Sequence, residues 1–399
     1  MRSEAHSKLV TTDAQHMRKA IELARVGLGL VSPNPAVGAV VVNSSGREVG
    51  TGTHTYDGVK HAEVLALQMA GGLARGGTLY LNLEPCSHHG RTGPCADAVI
   101  TAGVQRVVCS MVDPNPRVAG CGFARLRAAG IQVEVGLSEA EARKLNESFG
   151  KFIISGRPLV TLKSAMTLDG KIAAAKKPGT EPGSPVPTVE GARSGHHWIT
   201  GELARAHVQQ LRHQSDAILV GVGTVMADDP LLTDRSGLPR RRKLLRVVVD
   251  SYLHIPLTSR LVQTADNDVL VLCSGAEGSA RRTLEAKGIR VEEVAASKDG
   301  RPDFAAIVRK LGELTITSLL IEGGSLVNGA ALASGEVDKV FLYYAPRILG
   351  EGAVPFITGE HLRGNAQCVQ HAEIHRFGED FAIEGYIHDP YTPLTREHQ

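Results

Sequence analysis

A chain of 399 residues, 42% apolar and 22% charged, is long enough for two hydrophobic cores and composed like an ordinary globular protein. Its formal net charge of +2 excludes a one-signed field that would draw it onto nucleic acid or an anionic membrane. No run reaches the roughly 20 apolar residues of a membrane span, and six cysteines are too few at this length for a disulfide framework.

Along the first 150 residues helix and strand signals alternate. Residues 1–12 are polar, without the apolar core of a signal peptide, so a reduced, cytoplasmic protein is expected. Asp13 can cap a helix whose Met17, Ile21 and Ala24 share a face. There follow a buried strand over 37–42, a helix over 61–70 and a strand over 78–83. After Cys95 come a short helix, a strand over 104–112, a helix over 123–129 and a strand over 131–135. Strands separated by helices predict a mostly parallel sheet covered on both faces. A helix ending near Phe149 closes this unit, and Gly156-Arg157-Pro158 reads as a linker, giving domains 1–155 and 156–399.

The second half restarts the alternation. Strands are predicted over 159–165, 217–222, 245–249, 269–273, 319–321 and 340–345, and helices over 203–212, 279–287, 303–311 and 326–333. A segment rich in Pro and Gly, 176–195, reads as a surface loop. The basic run Arg240-Arg241-Arg242-Lys243 lacks interleaved aromatics and reads as a solvated loop, not a nucleic-acid patch. Cys109 and Cys273 sit in apolar strands as small hydrophobes. No internal repeat relates the halves.

One constellation carries specific chemistry. His61-Ala62-Glu63 opens a helix, Glu84-Pro85-Cys86 ends a strand, and Cys95 begins the next helix. One imidazole and two thiolates offer zinc three ligands and leave a tetrahedral position open for water. Glu63, two residues beyond the first ligand, stands near that position as a non-ligating proton carrier. The zinc nucleobase deaminases share the His-x-Glu and Pro-Cys elements, but here the second thiol lies nine residues on instead of three. The alternatives are a structural zinc site, which would want a fourth protein ligand and no free Glu, or unlinked residues.

The stretch Glu84-Pro85-Cys86-Ser87-His88-His89-Gly90-Arg91-Thr92-Gly93-Pro94-Cys95 resembles the bacterial riboflavin-biosynthesis deaminase/reductase family. Pro33-Asn34-Pro35-Ala36-Val37-Gly38 and Asp113-Pro114-Asn115-Pro116 match its other deaminase motifs, and the likeness spans nearly the whole chain. Gly93 stands where the family usually has a second proline. The resemblance implies an α/β protein with an N-terminal cytidine-deaminase-like α/β/α domain. That domain would use Zn2+ to deaminate 2,5-diamino-6-(5-phosphoribosylamino)pyrimidin-4(3H)-one. Asn34 either bonds the pyrimidine or only shapes its turn. His88, His89 and Arg91 either touch substrate or are solvated, and His54 is read as structural.

For the second half the resemblance implies a dihydrofolate-reductase-like α/β domain that uses NADPH to convert the ribosyl chain to ribityl. Lys163 to Gly170, Trp198-Ile199-Thr200, Gly221 to Asp229 and Glu322-Gly323-Gly324 carry the likeness. On that mapping Met166, Trp198, Thr224, Asp228, Ser251 and the run Gly324, Ser325, Leu326, Val327, Asn328, Gly329, Ala330 would line the NADPH site. Arg212, Leu232, Arg235 and Glu322 would face substrate, with Lys163 either on the phosphoribosyl chain or at the surface. His196 falls where relatives often carry a substrate-touching Ser. Trp198 could instead be a core aromatic, and Asp228 and Asp229 could cap a turn. No proton donor stands out, Glu322 being a candidate by location alone.

The expected partners are small phosphoribosylaminopyrimidines, with neither nucleic acid nor membrane, in a homo-oligomer. A tRNA-adenosine or nucleoside deaminase would close its metal site with Pro-Cys-x-x-Cys and, for RNA, show a basic, aromatic-dotted face; neither is present. A non-catalytic C-terminal module is the remaining alternative.

Overall fold

The computed structural model describes residues 2–90, 93–174, 198–275, 278–359 and 366–393, with side chains from residue 12 onward. It separates into two compact units, Met1–Ser155 with Pro239–Arg241 and Pro393–Gln399, and Gly156–Leu238 with Arg242–Thr392.

In the first unit, α1 (Arg2–Val26) precedes the antiparallel pair β1 (Gly38–Val42) and β2 (Glu48–Thr53). Then come α2 (Ala62–Ala70), β3 (Thr78–Leu83), α3 (Cys95–Ala102), β4 (Arg106–Met111), α4 (Cys121–Ala128), β5 (Gln132–Val135), α5 (Glu139–Leu145) and α6 (Glu147–Ser155). The sheet order is β2-β1-β3-β4-β5, with β1 antiparallel to both neighbours and β3, β4 and β5 parallel. The expected mostly parallel sheet is therefore half antiparallel. The sequence reading missed β2, because its buried face is built from Gly50 and Gly52 instead of branched residues. A Cβ on either would stand 2.1 Å from a carbonyl of α2 (Ala66 or Ala62), so only glycine lets that helix lie on the strand.

Met17, Ile21 and Ala24 of α1 are buried on one face, as their spacing predicts. Asp13 corrects the expected cap: it lies inside a helix that starts at Arg2. Its carboxylate accepts from Tyr80 Oη at 2.6 Å and from Arg106 at 3.0 and 2.7 Å. The last helix also runs on past Phe149 to Ser155.

The second unit is built on β6 (Leu159–Thr167), β7 (Lys171–Ala173), α7 (Glu202–Gln214), β8 (Ala217–Gly221), α8 (Val222–Asp228), β9 (Leu245–Val249), α9 (Arg260–Gln263) and β10 (Val269–Cys273). It continues through α10 (Gly278–Glu285), β11 (Arg290–Glu293), α11 (Phe304–Glu313), β12 (Ser318–Ile321), α12 (Ser325–Ala333), β13 (Lys339–Ala345), β14 (Val354–Pro355), β15 (Gln370–Phe377) and β16 (Asp380–Tyr386). The large sheet runs β11-β10-β9-β8-β12-β6-β13-β16-β15, parallel from β11 to β13 and closed by the antiparallel β16 and β15. Leu162, Leu219, Val247, Leu270 and Ile321 fill one face, and Ile218, Val220, Val248 and Val271 the other. Both faces are covered, so these strands read as continuous apolar runs. Because β12 inserts between β8 and β6, the carboxyl ends of β8 and β12 meet, which is where an open α/β sheet forms a crevice.

The basic run does not behave as a solvated loop throughout. Arg242 pairs with Asp216 at 2.8 Å and with the Thr315 carbonyl at 2.9 Å, and Lys243 pairs with Asp266.

Candidate active sites

In the first unit the nine-residue gap between cysteines is closed by the fold. Cys86 follows β3, and Cys95 opens α3 so that its N–H points at the Cys86 sulfur, 3.3 Å away. His61 caps α2, with Nδ1 3.1 Å from the Cys95 sulfur and 3.6 Å from that of Cys86. The three donor atoms all lie within 4.8 Å of one another. Cys95 donates to Cys86, and with help from His61 this outweighs burial and pushes the Cys86 thiol down, while Cys95 moves up. The Cys86 hydrogen bond raises the imidazole of His61 against its burial.

Glu63, in the first turn of α2, is 3% exposed. Its Oε2 has no hydrogen-bond partner among the described residues. Burial, opposed by the charge of His61, pushes its carboxyl up to about 7. Soft and borderline donors converging beside an orphaned buried carboxylate oxygen fit zinc with one protein-free position. Glu373, His375 and Glu384 also cluster, but there the buried Glu384 already pairs with Lys339 at 2.7 Å.

His54 proves more than a lone histidine. It is 3% exposed, edge-on to His61 at 5.1 Å. Its Nδ1 lies 3.1 Å from the Lys60 carbonyl and its Nε2 3.1 Å from Asn34 Nδ2. A carbonyl only accepts, so Nδ1 carries the proton and the Asn34 amide donates to Nε2, which fixes the amide's orientation. The Asn34 loop is held from below by Asn82 and Asn146, each bonding backbone groups of Ala36 or Gly38 at 2.8–3.1 Å. Glu84 was also missed. Its carboxylate accepts the N–H groups of Asp113, Gly120, Gly122 and Phe123 at 2.8–3.3 Å and so ties the Asp113-Pro114 segment beneath Cys86. His88 and His89 are exposed. Arg91 lies outside the described residues.

In the second unit Glu322 follows β12 with its side chain 9% exposed. Arg212 Nε and Nη2 donate to its two oxygens at 2.7 and 2.9 Å, and Lys163 Nζ stands at 3.5 Å. Burial would raise this carboxyl, but Lys163 and Arg212 together outweigh it and hold it at about 2. That corrects Glu322 as a proton-donor candidate: it carries no proton to give near neutrality.

Gly323, at φ 91°, turns the chain from β12 toward α12 as only glycine does freely. Gly324 N–H then donates to Thr224 Oγ1 at 3.2 Å, joining the ends of β12 and β8. Within 324–330, the side chains of Ser325 and Asn328 bond the carbonyls of Pro355 and Phe356, while Leu326 is exposed. Trp198 is 53% exposed beneath Arg205, which excludes the core-aromatic alternative. Met166 is buried in β6, Ser251 is half-buried after β9, and Asp228 is exposed at the end of α8. Asp229 takes the turn role, accepting from Arg260 N at 2.7 Å. Leu232 buries its side chain in the core, and Arg235 is exposed. His196 and the 176–195 loop lie outside the described residues. No described helix is long and apolar enough to cross a membrane.

Residues 10–111 match the cytidine and deoxycytidylate deaminase zinc-binding region, and 158–383 match the RibD C-terminal domain. The riboflavin biosynthesis protein RibD of Aquifex aeolicus is 39% identical over 93% of this chain and 97% of its own. That of Escherichia coli strain K12 is 39% identical over 93% and 98%. Among solved structures, Acinetobacter baumannii RibD aligns with a TM-score of 0.78 at 34% identity, covering 94% of this chain and 99% of that one. A diaminohydroxyphosphoribosylaminopyrimidine deaminase/5-amino-6-(5-phosphoribosylamino)uracil reductase from Thermotoga maritima aligns at 0.75 with 34% identity and the same coverage.

Proposed function

The chain belongs to the RibD family of riboflavin-biosynthesis proteins, and on that premise we propose which of its residues carry each reaction. It is a bifunctional enzyme with a zinc-binding deaminase domain and a reductase domain. The deaminase half converts 2,5-diamino-6-(5-phosphoribosylamino)pyrimidin-4(3H)-one to 5-amino-6-(5-phosphoribosylamino)uracil with loss of ammonia. The reductase half then turns the ribosyl chain into ribityl. We assign the first reaction to 1–155 and the second to 156–399.

His61, Cys86 and Cys95 would hold the zinc, which when bound supplies the Lewis acidity that makes water nucleophilic near neutral pH. Glu63 takes the proton that water loses. It returns that proton to the ring nitrogen as the new C–O bond forms, then takes the proton of the new hydroxyl and passes it to the amine, which leaves as ammonia. Asn34, its amide set by His54, bonds the pyrimidine.

In the second unit a nicotinamide cofactor, when bound, would supply the hydride for C1′ of the ring-opened imine, whose nitrogen takes up a proton. We assign its site to Met166, Trp198, Thr224, Asp228, Ser251 and the 324–330 segment, with NADPH as the cofactor. Ser325 Oγ and Asn328 Nδ2 already donate to the Pro355 and Phe356 carbonyls, while Asn328 Oδ1 has no partner among the described residues. Lys163 and Arg235 meet the phosphorylated chain. Arg212 aligns Glu322 and Lys163.

The observation that carries the reading is the convergence of an imidazole and two thiols on a buried, unpartnered Glu63 oxygen. Ammonia release and cofactor oxidation, followed separately, test it. Glu63→Gln is expected to lower the first by about 100-fold or more and leave reduction of pre-deaminated substrate intact. Ammonia release at the wild-type rate refutes Glu63 as the proton carrier.

A further inference from the structure

The segment joining α8 to β9 carries Leu232 and Arg235, and it is not a relaxed loop. Asp229 and Leu232 both stand at positive φ, 41° and 54°. Asp tolerates that region through its short, locally bonding side chain, here accepting from Arg260 N. Leucine has no such compensation, and a residue held there persists only where its surroundings over-determine it.

Three buried ties supply that constraint. Arg246 of β9, 1% exposed, donates Nη1 to the Leu231 carbonyl at 3.1 Å. The same guanidinium is anchored by Thr264 Oγ1 at 3.0 Å, the Thr264 carbonyl at 2.8 Å and Asp268 Oδ1 at 2.7 Å. Arg212 Nη1 donates to the Thr233 carbonyl at 2.9 Å. His213 Nδ1 lies 3.1 Å from Asp234 Oδ2, both side chains 6% exposed. The chain is thus held at 231, 233 and 234, with the Leu232 side chain sunk in the core between them. Immediately beyond, the Arg235 N–H donates to Gln209 Oε1 at 2.9 Å and its side chain is exposed.

A buried cation near the start of a core strand is an expensive choice where an apolar residue would pack. Arg246 even leaves Nε without a partner among the described residues. What it does that no apolar side chain could is join the strained segment to α9 and β10 at four acceptors. We propose that Arg246 is a positioning residue for the reductase substrate. It presets the 231–235 segment so that Arg235 stands ready for the substrate's phosphate before binding. The inference rests on the reading that Arg235 meets substrate. Prior placement of a charged clamp removes ordering entropy from the binding step, so its loss falls on substrate affinity.

The test is steady-state kinetics of full-length Arg246→Met, Arg246→Lys, Arg235→Met and the Arg235→Met/Arg246→Lys double variant. The substrate is 5-amino-6-(5-phosphoribosylamino)uracil, and NADPH binding is read from quenching of Trp198. Arg246→Lys keeps a cation beside Asp268 without the fork that spans four acceptors, so it remains informative if Arg246→Met does not fold. The expected result is a KM raised about tenfold or more, with kcat within about twofold and NADPH binding unchanged. The double variant should be no weaker than Arg235→Met, because both substitutions remove the same contact. A raised KM in Arg235→Met but not in Arg246→Lys overturns the inference and spares the reading. Full additivity in the double variant also overturns it. An unchanged KM in Arg235→Met refutes the reading that Arg235 meets substrate, and the inference with it.

Discussion

Glu322 is a carboxylate held charged inside the protein by two cations, and that arrangement has a pH signature. Its folded carboxyl stands at about 2, well below the roughly 4.3 of an unfolded glutamate. The folded state therefore gains stability from Glu322 above about pH 4.3 and loses it as pH falls from there through about 2, in total roughly 3 kcal/mol. Glu322→Gln leaves Lys163 and Arg212 without their counter-charge. The variant should be less stable than wild type near neutrality, and the gap should narrow on acidification through that window. Denaturant unfolding of both proteins across pH 2 to 6 measures it, and a gap of constant size would rule out the assigned carboxyl. The sequence offered Glu322 by its place after a strand, but its charge state depends on Lys163 and Arg212, which lie 159 and 110 residues away. The grouping of His61, Cys86 and Cys95 was legible because their chemistry is in their types and spacing. Glu84 and His54 were not, because what they do is bond backbone groups that only the folded chain brings near.

At the scale of elements the sequence reading missed β2, β7, β11, β14, β15 and β16, and two of these have their reason for existing outside themselves. β2 has no apolar run, being shaped by the close approach of α2, and β15 is largely exposed and charged, so neither carries a period-2 apolar signal. Most parallel strands of the large sheet were found nearly to the residue because both of their faces are covered and their apolar runs are unbroken, whereas β11, polar apart from Val291, was not. The packing of α2 on β2 links fold to chemistry, since that helix begins at His61, a proposed metal ligand, and carries Glu63. Gly52→Ala would place a Cβ 2.1 Å from the Ala62 carbonyl, a rigid backbone contact that side-chain rotation cannot relieve. The helix must shift at its ligand-bearing end. We expect a loss of about 1–3 kcal/mol of stability together with weaker metal retention, as overpacking at a backbone contact dictates. Metal content after dialysis against a competing chelator, beside a denaturant curve, tests both effects. Wild-type retention at reduced stability would show that α2 does not position the site.

At the scale of the whole chain, two cores serve two chemistries, and the proposed metal belongs to the first. Residues with no side-chain contact to one another until the chain folds, His61, Cys86 and Cys95, are the proposed ligands. Metal binding energy is then folding energy for the elements that bear them, α2, α3 and the end of β3. The second unit draws its stability from apolar strands and from charge pairs such as Arg246–Asp268 and Arg212–Glu322, in which no described cluster resembles the His61 site. Chelation should therefore act on the chain unevenly. Removing the metal should abolish ammonia release and lower hydrogen-exchange protection of amides in α2 and α3. Amides in β6, β8, β9 and β12 should keep their protection, and reduction of deaminated substrate should continue at its former rate. Exchange followed peptide by peptide, with zinc returned at the end to restore the first unit, separates this from general unfolding. Equal loss of protection in both units would mean that the stability of the reductase is tied to the metal, contrary to the separate cores and donor sets that the sequence builds.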